Sequence, residues 1–179
     1  MLGVGEKFPH FDLQATVGLD IKNAFKKISN TTYKNKWLVV FFWPKDFTFV
    51  CPTEIKAYDD LYNEFQDRDT QLIGGSTDSE FVHLAWRQHN KDLNQLKMPM
   101  IADVGGDLSR ELGILDHNAK VAQRATFIVD PEGIIRHVSV NDLKVGRNPE
   151  ETLRILDALQ TDELCACNRD VGGETLKVA

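Results

Sequence analysis

The run Pro44-Lys45-Asp46-Phe47-Thr48-Phe49-Val50-Cys51-Pro52-Thr53-Glu54 brings a cysteine, a hydroxyl, two prolines and an acid into one short stretch. It leaves an apolar run and enters a helical pattern. Pro52 marks the helix start, because proline is favoured at the first helical position, where no backbone N–H is needed. Cys51 then falls at the N-cap, beside unpaired N–H groups and the positive end of the helix dipole. Both effects favour a thiolate, the reactive form of the side chain. Thr48, three residues upstream, places a hydroxyl within reach of the same sulfur. Most free cysteines are small buried hydrophobes. Two stiffening prolines and a hydroxyl neighbour argue here for a reactive one.

Such a sulfur suits the reduction of a peroxide. That reaction needs a thiolate at neutral pH and fixed donors aimed at the oxygen that departs with negative charge. Arg124 is the leading donor, because it directly precedes the apolar strand pattern Ala125–Val129, where a charge needs a reason. Arg147, after Val145-Gly146, is the second. Glu54 stands one turn into the helix and could hold one or both guanidiniums in a bidentate pair. As a first-turn acid it also suits the helix dipole.

The elements that must position these groups are legible in outline. Trp37–Trp43 is a continuous β-branched and aromatic run, which predicts a central strand covered on both faces. From Cys51, Ile55, Tyr58, Leu61, Tyr62 and Phe65 recur at helical spacing. Gln71–Gly75 predicts a second strand. Thr77 and Glu80 have capping-box spacing and open a helix to about His89, with Phe81, Leu84, Ala85 and, at its edge, Trp86 as the apolar positions. Met100–Ala102 predicts a short strand, and 108–112 one or two helical turns. Ala125–Asp130 and Ile134–Val140 flank the Asp130-Pro131-Glu132-Gly133 turn and predict a hairpin. Asn148-Pro149-Glu150-Glu151 carries three helix-start signals, for a helix to about Gln160. The pattern is a mixed α/β sheet flanked by helices. Residues 1–160 form one domain, and the polar residues 161–179 a mobile C-terminal tail.

Composition narrows the partners. With 21 Lys and Arg against 27 Asp and Glu, the 179-residue chain carries −6. That balance argues against nucleic acid as a partner. No apolar run is long enough to span a membrane, and the first residues lack a signal-peptide pattern. The expected location is the reducing cytoplasm. Three cysteines, Cys51, Cys165 and Cys167, then argue for reactive thiols over a disulfide framework. Cys165-Ala166-Cys167 has C-x-C spacing with no accompanying histidine pair, which argues against zinc.

The active-site run resembles the signature of peroxiredoxins, and in particular the typical 2-Cys group of AhpC type. The likeness continues through Asp78–Trp86, through Arg124–Asp130 and through Val145–Asn148. The resemblance implies a thioredoxin-like fold with peroxiredoxin insertions and a thiol peroxidase acting on hydrogen peroxide, alkyl hydroperoxides and peroxynitrite. It implies Cys51 as the peroxidatic cysteine, shielded by Pro44. Thr48 would bond the peroxide oxygen and Arg124 would activate thiolate and substrate, with Glu54 and Arg147 orienting that arginine. It implies no metal, haem or flavin. It further implies an intersubunit disulfide with a resolving cysteine, within a homodimer that assembles into a decamer or dodecamer ring. Recycling would come from an external dithiol protein: thioredoxin, an AhpD-like protein or an AhpF-like flavoprotein. A disulfide relay or redox sensor is the alternative function, but it would want a C-x-x-C, which is absent at Cys51.

Two departures stand out. Cys165 matches the resolving position, but Leu164-Cys165-Ala166-Cys167-Asn168 adds a second sulfur, as in the AhpC branch of mycobacterial type. Cys167 could resolve directly, exchange with Cys165 or pass the disulfide on. The chain also lacks the Gly-Gly-Leu-Gly loop near His89–Asn94 and the Tyr-Phe-bearing C-terminal helix. An enzyme without them is expected to open easily around Cys51 and to resist over-oxidation.

Overall fold

The computed structural model describes residues 1–177. Val178 and Ala179, the last two residues of the expected tail, lie outside the described residues. Among the described residues seven strands form one sheet: β1 Asp12–Thr16, β2 Phe25–Ser29, β3 Trp37–Phe42, β4 Thr70–Ser76, β5 Met100–Ala102, β6 Arg124–Val129 and β7 Ile135–Asn141. Their order is β2-β1-β5-β4-β3-β6-β7. β3, β4 and β5 run parallel; β6 returns antiparallel on the other side of β3, and β7 antiparallel to β6. The mixed sheet flanked by helices is the expected architecture.

Alternation along β3 divides the interior. Leu38, Val40 and Phe42 point into one core with Phe8, Ile73, Leu108 and Phe127. Val39 and Phe41, with Trp43 beyond the strand, point into the other with Cys51, Ile55, Tyr58 and Leu156. Successive strand residues face opposite sides, so one apolar run fills both cores. The helices that cover the sheet are α1 Cys51–Asp60, α2 Tyr62–Gln66, α3 Glu80–His89, α4 Asp107–Glu111 and α5 Pro149–Gln160. No helix among the described residues is long and apolar enough to cross a membrane.

Several boundaries differ from the sequence reading. Helix α1 opens at Cys51 itself, with Val50 as its cap and Pro52 second. Val50 already has helical dihedrals, and its carbonyl accepts from the N–H groups of Thr53 and Glu54. Cys51 is therefore the first helical residue and not the cap. The predicted single helix to Phe65 is interrupted at Leu61, whose N–H tightens onto the carbonyl of Tyr58. Ser79, not Thr77, caps α3: it is the last extended residue, and its hydroxyl accepts from the N–H of Val82. Phe81 is exposed and stacks edge-on against Phe25, whereas His83, Trp86 and Arg87 are buried. β1, β2 and the short 3-10 turn at Asn30–Tyr33 have no counterpart in the sequence reading.

Glycines near the C-terminal end of β4 allow the close packing there. A Cβ on Gly75 would lie 2.4 Å from Ile101 Cγ1 and 3.0 Å from its carbonyl oxygen. Gly75→Ala is expected to destabilise the fold by about 1–3 kcal/mol through overpacking, read as a lower urea midpoint at unchanged slope.

Candidate active site

Three chain segments converge at one end of β3. Cys51 follows that strand after an eight-residue loop from Trp43 to Val50. Arg124 opens β6, whose antiparallel register on β3 pairs Phe41 with Thr126 and so carries Arg124 towards the same end. In the β6–β7 ladder Arg124 pairs with Asn141, the last residue of β7, so the loop to Arg147 begins there too. Asn141 holds this loop through its amide, which donates to the carbonyls of Val145 and Gly146.

Glu54 stands at the centre. It lies one turn beyond Cys51 on the same helical side and is 2% exposed. Its Oε2 accepts from Arg124 Nη1 at 2.5 Å. Its Oε1 accepts from the Nε and the backbone N–H of Arg147 at 2.8 and 3.0 Å. Each oxygen thus serves one arginine, rather than both serving one guanidinium as a bidentate pair. Arg147 also donates from Nη1 to the carbonyl of Ala125 and the hydroxyl of Thr126. Its guanidinium lies over the rings of Phe41 and Tyr58, at 5.3 and 5.7 Å. Such placement favours a cation.

Arg124 then reaches the sulfur. Nη1 donates to Cys51 Sγ at 3.4 Å, and Nε donates to the carbonyl of Leu143 at 2.8 Å. Nη2 makes no protein hydrogen bond among the described residues and keeps contact with solvent. Burial works against the charge on Arg124, but the Cys51 sulfur and Glu54 outweigh it and hold the guanidinium above its ordinary pKa. A fixed cation with one free N–H group beside a buried sulfur can stabilise negative charge on that sulfur and on an oxygen bonded to it.

The remaining predicted residues divide. Pro44 is buried at the foot of the loop. Thr48 is half-buried, and its hydroxyl donates to the carbonyl of Lys45 at 2.9 Å rather than to the Cys51 sulfur. Cys165 is half-buried and Cys167 exposed, and all three cysteines are free. The tail sulfurs line an open groove with Trp37 and Pro131. Trp37 begins β3, whereas the Cys51 loop leaves its other end. A strand of six residues is about 20 Å long, so within one chain the tail and Cys51 occupy opposite ends of the sheet.

A buried cluster behind the loop went unread in the sequence. Asp46 Oδ2 is 2.6 Å from His83 Nδ1, with both side chains at most 1% exposed. Asp46 Oδ1 accepts from Trp43 Nε1 at 2.7 Å, and the backbone N–H of Asp46 donates to Asp78. His83 Nε2 lies 3.1 Å from the carbonyl of Ile101 and must donate to it, so Asp46 and Nδ1 share a single proton. Burial raises the Asp46 carboxyl above its ordinary pKa, against the opposing pull of His83 and Trp43. These bonds tie the Cys51 loop to α3. The available sequence signal was a lone acid in a loop that is rich in aromatic residues. Asp46→Ala would strand His83 and Trp43 and is expected to cost about 3–5 kcal/mol, read by denaturant unfolding.

The chain matches known proteins over nearly its whole length. The model of the AhpC/TSA family matches residues 4–138. Alkyl hydroperoxide reductase C of Mycolicibacterium smegmatis is 47% identical over 184 aligned positions, covering 98% of this chain and 94% of that protein. The solved structure of Mycobacterium tuberculosis AhpC superposes with a TM-score of 0.86 at 49% identity, covering 94% of this chain and 98% of that one. The reduced 2-Cys peroxiredoxin of Plasmodium vivax superposes with a TM-score of 0.91 at 34% identity, covering 99% of this chain and 94% of that one. A reactive-looking sulfur under an arginine, on this fold and with these relatives, has one family to fit: the chain belongs to the AhpC/TSA family, the peroxiredoxins.

Proposed function

We propose that this chain is a thiol-dependent peroxidase that reduces hydrogen peroxide and alkyl hydroperoxides, peroxynitrite among the further substrates, and serves antioxidant defence. The observation that carries this reading is the buried Cys51 sulfur at a helix start, 3.4 Å from the Arg124 guanidinium that Glu54 holds in place. The thiolate attacks one peroxide oxygen, the O–O bond breaks, and the sulfur becomes a sulfenic acid. The other oxygen leaves as hydroxide or alkoxide. The free Nη2 of Arg124 donates to the oxygen carrying that charge. Thr48 Oγ1, whose own proton is engaged by Lys45, accepts from the O–H of the peroxide. Buried Pro44 keeps solvent from the sulfur.

A tail sulfur then condenses with the sulfenic acid. Cys165 is the first candidate for this step and Cys167 the second. Their placement at the far end of the sheet supports resolution across a homodimer rather than within one chain. The first turn of α1 must unwind for the two sulfurs to meet. Residues 161–179 act as the moving tail, beside a domain of residues 1–160. An external dithiol protein, thioredoxin, AhpD-like or AhpF-like, reduces the disulfide by exchange. Exposed Phe47, Phe49 and Val145 suit burial between copies in a decamer or dodecamer ring. Three free cysteines suit a reducing cytoplasm.

Rapid mixing of the reduced protein with peroxide tests the reading. Cys51→Ser should abolish fast consumption, and Cys165→Ser should allow one turnover and then stall. Fast turnover surviving in Cys51→Ser would overturn the assignment. In a peroxide titration read by mass spectrometry, disulfide should precede Cys51 sulfinic acid. Abundant sulfinic acid at modest excess would refute the expected ease of opening.

A further inference from the structure

We propose that Asp157 is a latch that holds the two-sulfur tail on α5 and sets how often it is released to resolve Cys51. The inference rests on reading the tail sulfurs as the resolving groups.

Among the described residues the tail has no helix or strand after Gln160, yet it is fastened at defined points. Asp157, on α5, accepts through Oδ2 from Arg169 Nη1 at 2.8 Å and from the backbone N–H of Gly172 at 2.9 Å. Its Oδ1 accepts from Arg68 Nε at 3.3 Å. One carboxylate therefore ties α5 to the tail on one side and to the segment after α2 on the other. Arg169 is buried, although it lies in an irregular segment, and its carbonyl accepts from Arg154 Nη1 at 3.1 Å. Charge-assisted bonds of this kind are the strong class of hydrogen bond. Burial disfavours the Asp157 carboxylate, but Gly172, Arg169 and Arg68 outweigh that and hold its pKa below the ordinary value.

In this fastened state Cys165 is half-buried and free. Its Sγ lies 3.5 Å from Thr161 Oγ1 and 3.7 Å from the carbonyls of Ala158 and Glu163. The sulfur is engaged with the last turn of α5 and the residues just after it. It reaches a sulfenic acid only once the tail lifts. Resolution then follows as Cys–SOH plus Cys–SH giving Cys–S–S–Cys and water, with no further oxidant. A tighter latch prolongs the sulfenic acid and exposes it to a second peroxide. A looser one shortens it.

Quenched-flow mass spectrometry of the full-length protein separates the two steps. In Asp157→Asn the peroxide step at Cys51 should match the wild type, which also shows that the fold is intact. The disulfide step should quicken about tenfold, the factor that one lost charge-assisted bond is worth in an opening equilibrium. Arg169→Gln should act in the same direction and decides the matter alone if Asp157→Asn fails to fold. A disulfide step unchanged or slowed, with a normal peroxide step, would overturn the latch. The Cys165→Ser/Cys167→Ser double variant is the control. If it stalls at sulfenic acid while the latch variants are flat, only the latch falls. If it still forms a disulfide, the resolving role of the tail falls as well.

Discussion

A buried carboxylate shared by two arginines is the interaction on which the site depends. Glu54, Arg124 and Arg147 are each at most 5% exposed at the side chain. Charges so far from water are tolerated only when paired and hydrogen-bonded. Here the two oxygens of Glu54 take one arginine each, and the other bonded donors of those arginines meet backbone carbonyls, the Thr126 hydroxyl or the Cys51 sulfur; Nη2 of each arginine has no protein partner among the described residues. The cluster holds one more positive than negative charge. An anion at Cys51, or an oxyanion developing beside it, neutralises that surplus. The arrangement thus stabilises charge where the proposed reaction creates it, with donors already in place before the peroxide arrives.

The fold supplies this geometry by register rather than by a dedicated element. β3 ends where α1 begins, β6 begins beside that end, and the loop after β7 starts beside β6. Slipping β6 by one residue would turn Arg124 to the opposite face of the sheet. The alternation that fills both cores therefore also fixes which arginine meets the sulfur. The Asp46–His83 pair performs the matching task on the loop, joining it to α3. Where the interior is close-packed, as around Gly74 and Gly75, there is little room for adjustment.

Most of the site could be read from the chain because its signals are local. Proline after cysteine, an acid one turn on, and an arginine before an apolar strand are each visible within a few residues. The departures have physical causes. The helix began one residue early because Val50 adopts helical dihedrals, a choice made by the loop and not by proline propensity. The Thr48 hydroxyl turned to the carbonyl of Lys45, an acceptor within its own turn. β1 and β2, Asp-Leu-Gln-Ala-Thr and Phe-Lys-Lys-Ile-Ser, are short, partly exposed strands whose polar content hides their pairing. Asp46 with His83, Tyr58 with Thr126 and Thr152, and Asp157 with Arg68 join residues 37 to 94 positions apart. No local pattern announces such contacts, because only the folded chain creates them.

Arg147 serves the sulfur through Glu54, by holding the acid that holds Arg124. A double-mutant cycle on the rate of Cys51 oxidation by peroxide measures this directly. Glu54→Gln and Arg147→Gln should each slow oxidation, and the double variant should be no slower than the worse of the two. Effects that simply add in log rate would mean that the two residues act independently, and would contradict the account.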